Sequence, residues 1–329
     1  MMTRFSYHVS HEQHSPRYLL HYVQLAEAAG FDAAFSSDHL QPWGPAQGQS
    51  GFTWAWLGAA LQATQRLRFS AITVPGGWRY HPVVLAQAVA TLAVMYPGRV
   101  PWIALGSGEA LNEACIGQGW PGKSERQQRL QKAALAMHAL MAGDAVSQPA
   151  PVPIDAARLW TRPRTPVPLV GAATSVDTAR WVGGWADGLL TVASRFEDLQ
   201  ALVQAFREGG GEGKPVHVKV DVCWAPSEDE ALESVHAQWR YNVAPGDAFE
   251  DVREPEEFDR LTQHLRPEDM REHVFISSDL DAHVAHLRQW ASAGADTLDV
   301  HQVAGDQVAF IRQYGERVLP ALRLAGRSG

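Results

Sequence analysis

The stretch SSDHLQPW, residues 36–43, sets an acid beside an imidazole, Asp38 and His39, with Trp43 four residues on. A histidine held at the mouth of a cavity is well suited to take a hydroxyl proton near neutral pH, and an indole beside it could keep water out of that transfer. A pair of loop residues bonded to local backbone is the other reading of Asp38-His39. A second stretch, GSGEAL at 106–111, has the outline of a dinucleotide loop, but Leu111 stands where the third glycine belongs and no acid closes a following strand. What remains is a tight glycine turn that presents Glu109 and Asn112. In a partly dry pocket Glu109 could serve as a general acid; otherwise it caps a helix start. A third stretch, GAATSVDTAR at 171–180, combines small residues with Thr174 and Ser175 at a helix start, a place where a phosphate can approach backbone N–H groups. Serine and threonine are also the commonest caps there.

Other chemistries find less support. A metal site built on the first strand needs two histidines on one face, whereas His8 and His11 are three apart and point in different directions. His11, His81 and His301 read as polar rim, and neither Cys115 nor Cys223 has a flanking base that would make it a nucleophile. No catalytic metal is expected. A formal charge of −8 without a basic run argues against a nucleic-acid partner. No apolar run approaches the ~20 residues of a membrane helix. With two cysteines and a start, MMTRFSYHVSHEQ, that lacks the apolar core of a secretory signal, a cytoplasmic location is expected. Twelve tryptophans are more than a core of this size requires, and some are expected to line a cavity.

These residues need a frame that brings them together. Apolar runs alternate with helix signals along the whole chain: strands at 4–9, 32–37, 67–74, 100–107, 167–172, 187–192, 216–224 and 297–301, each followed by a helical pattern. Ser15-Pro16 opens the first helix and Gly30 ends it; Pro82 opens another, which Pro97-Gly98 stops. Strict alternation demands parallel strands with right-handed crossovers, and eight units in 329 residues predict an α/β protein, a (β/α)8 TIM barrel, as one domain spanning 1–329. Insertions at about 143–166 and 225–275 follow strands four and seven. Chemistry in such a barrel lies at the C-terminal strand ends, which is where all three stretches fall.

SSDHLQPW, GSGEALNE (106–113), RYHP (79–82) and WADG (185–188), in this order and spacing, resemble the luciferase-like superfamily of flavin and deazaflavin oxidoreductases. Within it the likeness is to the branch of the coenzyme F-420-dependent glucose-6-phosphate dehydrogenases. The resemblance implies a barrel of the luciferase-like type and a hydride passed between a small alcohol-type substrate, anionic or not, and a ring cofactor. It implies His39 as base on the hydroxyl, Glu109 as acid toward the ring, and Trp43 as positioning residue. It assigns cofactor contacts to Asp38, Ile72, Thr73, Val74, Asn112, Ala172, Ala173, Thr174 and Ser175, with a bulge at the third strand end. Where the branch holds a sugar phosphate with lysines, this chain has Arg195 and Arg260, which could bind phosphate as a fork. SHEQ (10–13) and GFTWAWLG (51–58) resemble relatives that use ordinary flavin, so the cofactor is FMN or coenzyme F-420. With FMN the enzyme could be a monooxygenase, and a flavin-binding barrel without catalysis is the remaining alternative. The family resemblance also implies a homodimer.

Overall fold

The computed structural model describes residues 3–243 and 250–325 of the chain. Its main sheet is wholly parallel. The strands are β1 (Arg4–Val9), β2 (Ala33–Ser37), β3 (Arg68–Ile72), β4 (Val74–Pro75), β5 (Ile103–Gly106), β8 (Leu169–Ala172), β9 (Leu189–Val192), β10 (Val216–Cys223) and β12 (Thr297–Gln302). Their order is β3-β2-β1-β12-β10-β9-β8-β5-β4. The two ends of that path, β3 and β4, are consecutive in sequence and separated only by Thr73. The path therefore closes on itself, and the eight expected strands form the barrel once β3 and β4 are counted as one broken strand.

The break is local and sharp. Thr73 has φ 58°, a left-handed backbone that is rare outside glycine, and its side-chain oxygen accepts from the Asp38 amide at 3.0 Å. Ile72–Thr73 is a trans peptide. The third-strand bulge is thus made by one φ angle, and it turns the chain at the barrel mouth.

Flanking helices follow their sequence signals. Helix α1 (Pro16–Ala29) starts at Ser15, whose side chain accepts from the Tyr18 amide, and stops at Gly30 with φ 94°. It buries Leu19, Val23 and Ala26, one stripe at 3.6-residue spacing. Helix α2 (Thr53–Ala63) covers β2 and β3, and α3 (Pro82–Met95) packs against α5 (Lys123–Ala142). His81 caps α3 through the Val83 amide, so this expected rim residue has a structural place.

Several features depart from expectation. The proline-rich 143–166 segment contains an antiparallel pair, β6 (Val146–Gln148) with β7 (Ile154–Ala157). A two-residue strand, β11 (Phe275–Ile276), pairs in parallel with the end of β10 at the close of the second insertion. Helix α4 (Ala110–Glu113) and the turn Ala114–Ile116 fill what was read as loop. The helices expected over 195–208 and 306–325 each pass through a wider turn, at Arg207–Gly211 and Tyr314–Val318. Among the described residues, no helix is long and apolar enough to cross a membrane.

The barrel interior has two unlike halves. On one side Ala33, Phe35, Ile72, Trp102, Ala104, Val170 and Leu190 form an apolar plug. On the other, alternate residues of β1, β10 and β12 turn polar groups inward: Ser6 and His8 both bond Asp299, and His301 bonds Asp221 at 3.2 Å. The intervening Phe5, Tyr7, Val218, Val220, Leu298 and Val300 face the helices and join the main core.

Buried neutral histidines give this frame a pH limit. Desolvation by burial lowers His11 and His283 to about 4 and His217 to about 3. Between pH 6.5 and 4 the unfolded chain binds these protons and the folded chain does not, so stability falls as pH falls. Three such groups together remove up to about 4 kcal/mol per pH unit. Chemical unfolding at stepped pH is expected to show most of the stability lost between pH 6.5 and 4.5; a flat stability profile across that window contradicts it.

Candidate active site

The loops after β1, β2, β4 and β5 converge at the C-terminal end of the barrel. His39, two residues beyond β2, is buried, and its Nδ1 lies 2.9 Å from Glu12 Oε1. Glu12 comes from the loop after β1 and is fixed by Ser10 and Ser37, whose hydroxyls donate to Oε2 at 2.9 and 2.8 Å. Burial would raise the Glu12 pKa, but the charge and hydrogen bond of His39 together with these donors hold it well below the carboxylate range. Burial likewise would lower His39; the charge of Glu12, 2.9 Å from Nδ1, then that of Glu109, outweigh it and place His39 above its usual 6.5.

The other face of the imidazole is open. Nε2 lies 3.9 Å from Glu109 Oε2, too far for a hydrogen bond, and has no hydrogen-bond partner among the described residues. Buried polar nitrogens rarely go unpartnered, and a hydroxyl set to one side of the line from Nε2 to the Glu109 carboxyl would reach both. Glu109 stands at the start of α4 and makes no side-chain cap bond, so the helix-cap reading of this residue is not realised. Desolvation raises its pKa, against the opposing charge of His39 and a hydrogen bond from Asn112. The preceding Gly108 has φ 82°, and a Cβ there would come within 2.7 Å of Glu113 Cγ; the turn that presents Glu109 therefore needs glycine.

Asp38 and His39 are not hydrogen-bonded to each other. Neighbours in an extended segment point to opposite sides, and the Asp38 carboxylate turns away to accept from Tyr80 Oη at 2.8 Å and Trp54 Nε1 at 3.2 Å. Arg79 sits between Asp38 (3.5 Å) and Glu113 (3.1 Å) and also donates to the Asp38 carbonyl. Glu113 is buried and pushed up to about 7 by desolvation, Arg79 working against the rise. Burial also raises Asp38, again against Arg79. The carboxylate that serves His39 is Glu12, 27 residues away in sequence. Glu12, Trp54, Arg79, Tyr80 and Glu113 are the site residues that inspection of the sequence did not single out; the signal was a carboxylate directly after a strand end in SHEQ and an arginine at a strand end in RYHP.

The other expected residues fall as follows. Trp43 packs edge-on to His39, with ring centroids 5.1 Å apart, and belongs to an apolar cluster with Leu111, Tyr241, Val252 and Phe258. Asn112 turns its carbonyl to the Leu40 and Gln41 amides at 2.8 and 3.0 Å and its amide to Glu109 at 3.3 Å, clamping the loops after β2 and β5 together. Ile72, Thr73 and Val74 form the kinked strand end beside Asp38. Ala172 and Ala173 end β8 and Ser175 caps helix α6 (Val176–Gly183) through the Thr178 amide, with Thr174 exposed beside it. The two arginines are not brought into the pocket. Arg195 is 69% exposed and both arms of its fork are taken by Asp198 at 2.9 Å. Arg260 is exposed on the helix Pro255–Thr262, which buries Phe258 and Thr262; two residues from either, it projects from the opposite side.

No group of three or more metal-ligating side chains occurs among the described residues. A flat aromatic cofactor fits better. Gly106 and Ala172 stand side by side at the ends of β5 and β8, where even an added Cβ at Gly106 would be 3.9 Å from Ala172 Cβ. This low wall lies on the apolar half of the barrel, with the Thr73 kink beside it.

Comparison with known proteins agrees with this geometry. Residues 1–297 match the luciferase-like monooxygenase family. The chain belongs to that family. As a luciferase-like oxidoreductase it is 35% identical, over 99% of both chains, to the F-420-dependent glucose-6-phosphate dehydrogenase of Beutenbergia cavernae. It is 36% identical to the enzyme of that name from Microbacterium testaceum, over 97% of each. Among solved structures, an F-420-dependent secondary alcohol dehydrogenase in complex with an F-420–acetone adduct superposes with a TM-score of 0.92 at 30% identity, covering 98% of this chain and 100% of that one.

Proposed function

We propose that this luciferase-like oxidoreductase is a coenzyme F-420-dependent alcohol dehydrogenase, the whole chain acting as one barrel domain whose insertions form the pocket walls. The observation that carries this reading is the unpartnered, buried Nε2 of His39 facing Glu109 across 3.9 Å. The relatives at 35% and 36% identity and the structural neighbour at 30% are all F-420-dependent dehydrogenases, which favours the deazaflavin over FMN. When bound, the ring supplies the hydride acceptor or donor.

The residues that would hold it are the Thr73 strand end, Gly106 and the Ala172–Ser175 turn, with Asp38 fixed beside them. His39 takes the hydroxyl proton at Nε2 during alcohol oxidation and returns it during carbonyl reduction. Glu12, ionised and held by two serines, keeps Nδ1 protonated and so reserves Nε2 for the substrate. Glu109, with its raised pKa, is placed to hold a proton across the pocket. Trp43 and its apolar neighbours keep bulk water away from the transfer.

Titration of the purified chain with coenzyme F-420 and separately with FMN, followed by addition of a secondary alcohol, tests the reading. The deazaflavin spectrum is expected to change on binding and to bleach with alcohol. Perturbation by FMN alone, or binding with no bleaching by any alcohol, would overturn it.

The pH dependence follows from Glu12. Alcohol oxidation needs neutral His39, whose pKa is raised, so the rate rises with pH to a plateau above 6.5. Glu12→Gln removes the charge that raises His39 and leaves the desolvation that lowers it, so the profile moves to lower pH while the plateau falls by on the order of a hundredfold. Steady-state rates across pH read both; an unmoved profile contradicts the role of Glu12.

A homodimer is part of the same reading. Helices α2 and α3 are apolar nearly all round, and Phe52, just ahead of α2, with Val84, Val94 and Met95 of α3 remains exposed on the monomer. Sedimentation at micromolar concentration is expected to give twice the chain mass; a monomer contradicts it.

A further inference from the structure

The pocket mouth is rich in carboxylates and poor in available cations. Glu12 and Glu109 flank His39, Asp38 and Glu113 lie buried behind them on Arg79, and Asp221 adds a fifth from the polar half of the barrel. Against them stand Arg79, shared between Asp38 and Glu113, and Lys219, which is paired with Asp221 and lies over the Trp239 ring at 5.0 Å. The loops after β1, β2, β5, β8 and β12, residues 10–15, 38–52, 107–122, 173–175 and 303–306, contain no lysine or arginine at all. Arg195 is held by Asp198, and Arg240 is paired with Asp259 against the Tyr241 ring. Beside His39 the wall is apolar: Trp43, Leu111, Tyr241, Val252 and Phe258.

We infer that the substrate is an uncharged secondary alcohol or the matching ketone, seated with its carbon skeleton on the Trp43–Phe258 wall, and that phosphate esters are excluded. This rests on the dehydrogenase reading above and gives it a substrate class. A dianionic phosphate beside His39 would lose its water next to the ionised Glu12, with Arg79, Lys219 and Arg240 already committed to carboxylates. An uncharged alcohol meets neither cost: its one hydroxyl, set beside the Nε2–Glu109 pair, reaches both, and its alkyl groups bury against the aromatic wall.

The test uses the purified chain loaded with coenzyme F-420 and offered 2-butanol, glucose and glucose 6-phosphate in parallel. The secondary alcohol is expected to exceed glucose 6-phosphate in kcat/KM by about a hundredfold or more, and phosphorylation of glucose to bring no gain. If turnover is slow, the order of binding is read instead from the change each compound causes in the fluorescence of the bound deazaflavin, with the same expectation. Preference for glucose 6-phosphate, by rate or by binding, would overturn the inference while leaving the dehydrogenase reading intact, and its loss in R195A/R260A would locate the phosphate. A chain that does not bind the deazaflavin would overturn the dehydrogenase reading and this inference with it.

Discussion

His39→Ala is expected to reduce alcohol turnover by about 10²- to 10⁴-fold while leaving deazaflavin affinity within about threefold. The two effects separate because the imidazole meets Glu12 on one side and open pocket on the other, while the cofactor wall is built from Thr73, Gly106 and Ala172. Removing the ring leaves Glu12 buried with only its serine donors, so its pKa climbs back toward or above the ordinary carboxylate value. His39→Asn serves as the companion variant: it keeps a donor near Glu12 and much of the volume but offers no titratable nitrogen. If folding alone were at stake, Asn would restore turnover; if proton transfer is, Asn remains as slow as Ala. Steady-state rates beside a fluorescence titration of the ring decide it. A His39→Ala enzyme of normal kcat would leave no role for the imidazole in proton transfer.

Arg79→Ala is expected to cost about 3–5 kcal/mol of stability near neutral pH, because it strips the shared cation from two buried carboxylates. The loss has a sign in pH. Without Arg79 the already raised Glu113 rises further, so the folded chain keeps a proton that the unfolded chain releases above about 4.5. The variant's deficit relative to the parent therefore grows as pH rises and narrows toward pH 5, on top of the loss that the buried histidines impose on both. Arg79→Lys recovers little, since the ammonium cannot span Asp38, the Asp38 carbonyl and Glu113 as a planar fork does. Urea unfolding at pH 5 and pH 8 measures both. Equal stability of variant and parent at pH 8 would show that the pair is not buried as described.

What could be read from the sequence and what could not divides by range. Strand and helix periods are local, so the alternation that builds the barrel, the Ser15 cap and the Gly30 stop were visible within a few residues. The placement of SSDHLQPW and GSGEALNE at one mouth followed from that alternation, because a parallel barrel sends every strand end to the same face. The partner of His39 was not visible in the same way. Asp38 was adjacent and chemically plausible, yet strand geometry turns adjacent side chains apart, and the carboxylate that reaches His39 comes from the loop after β1. The Arg79 bridge joins the loops after β2, β4 and β5 and has no local signature.

Arg195 shows the converse. The family resemblance offered it as a phosphate fork, but Asp198, three residues on, takes both arms of that fork. The third-strand kink was expected as a bulge, but which residue would carry it was open; the left-handed φ of Thr73 is repaid by its bond to the Asp38 amide, a contact across 35 residues.

The most direct test of the central claim is a crystal structure of the chain grown with coenzyme F-420 and a ketone. The account predicts the deazaflavin ring along Gly106 and Ala172, with the ketone oxygen within hydrogen-bond reach of His39 Nε2 and Glu109 beside the same cavity. Density for the ring anywhere else on the molecule, or a ketone whose oxygen turns away from His39, would contradict it.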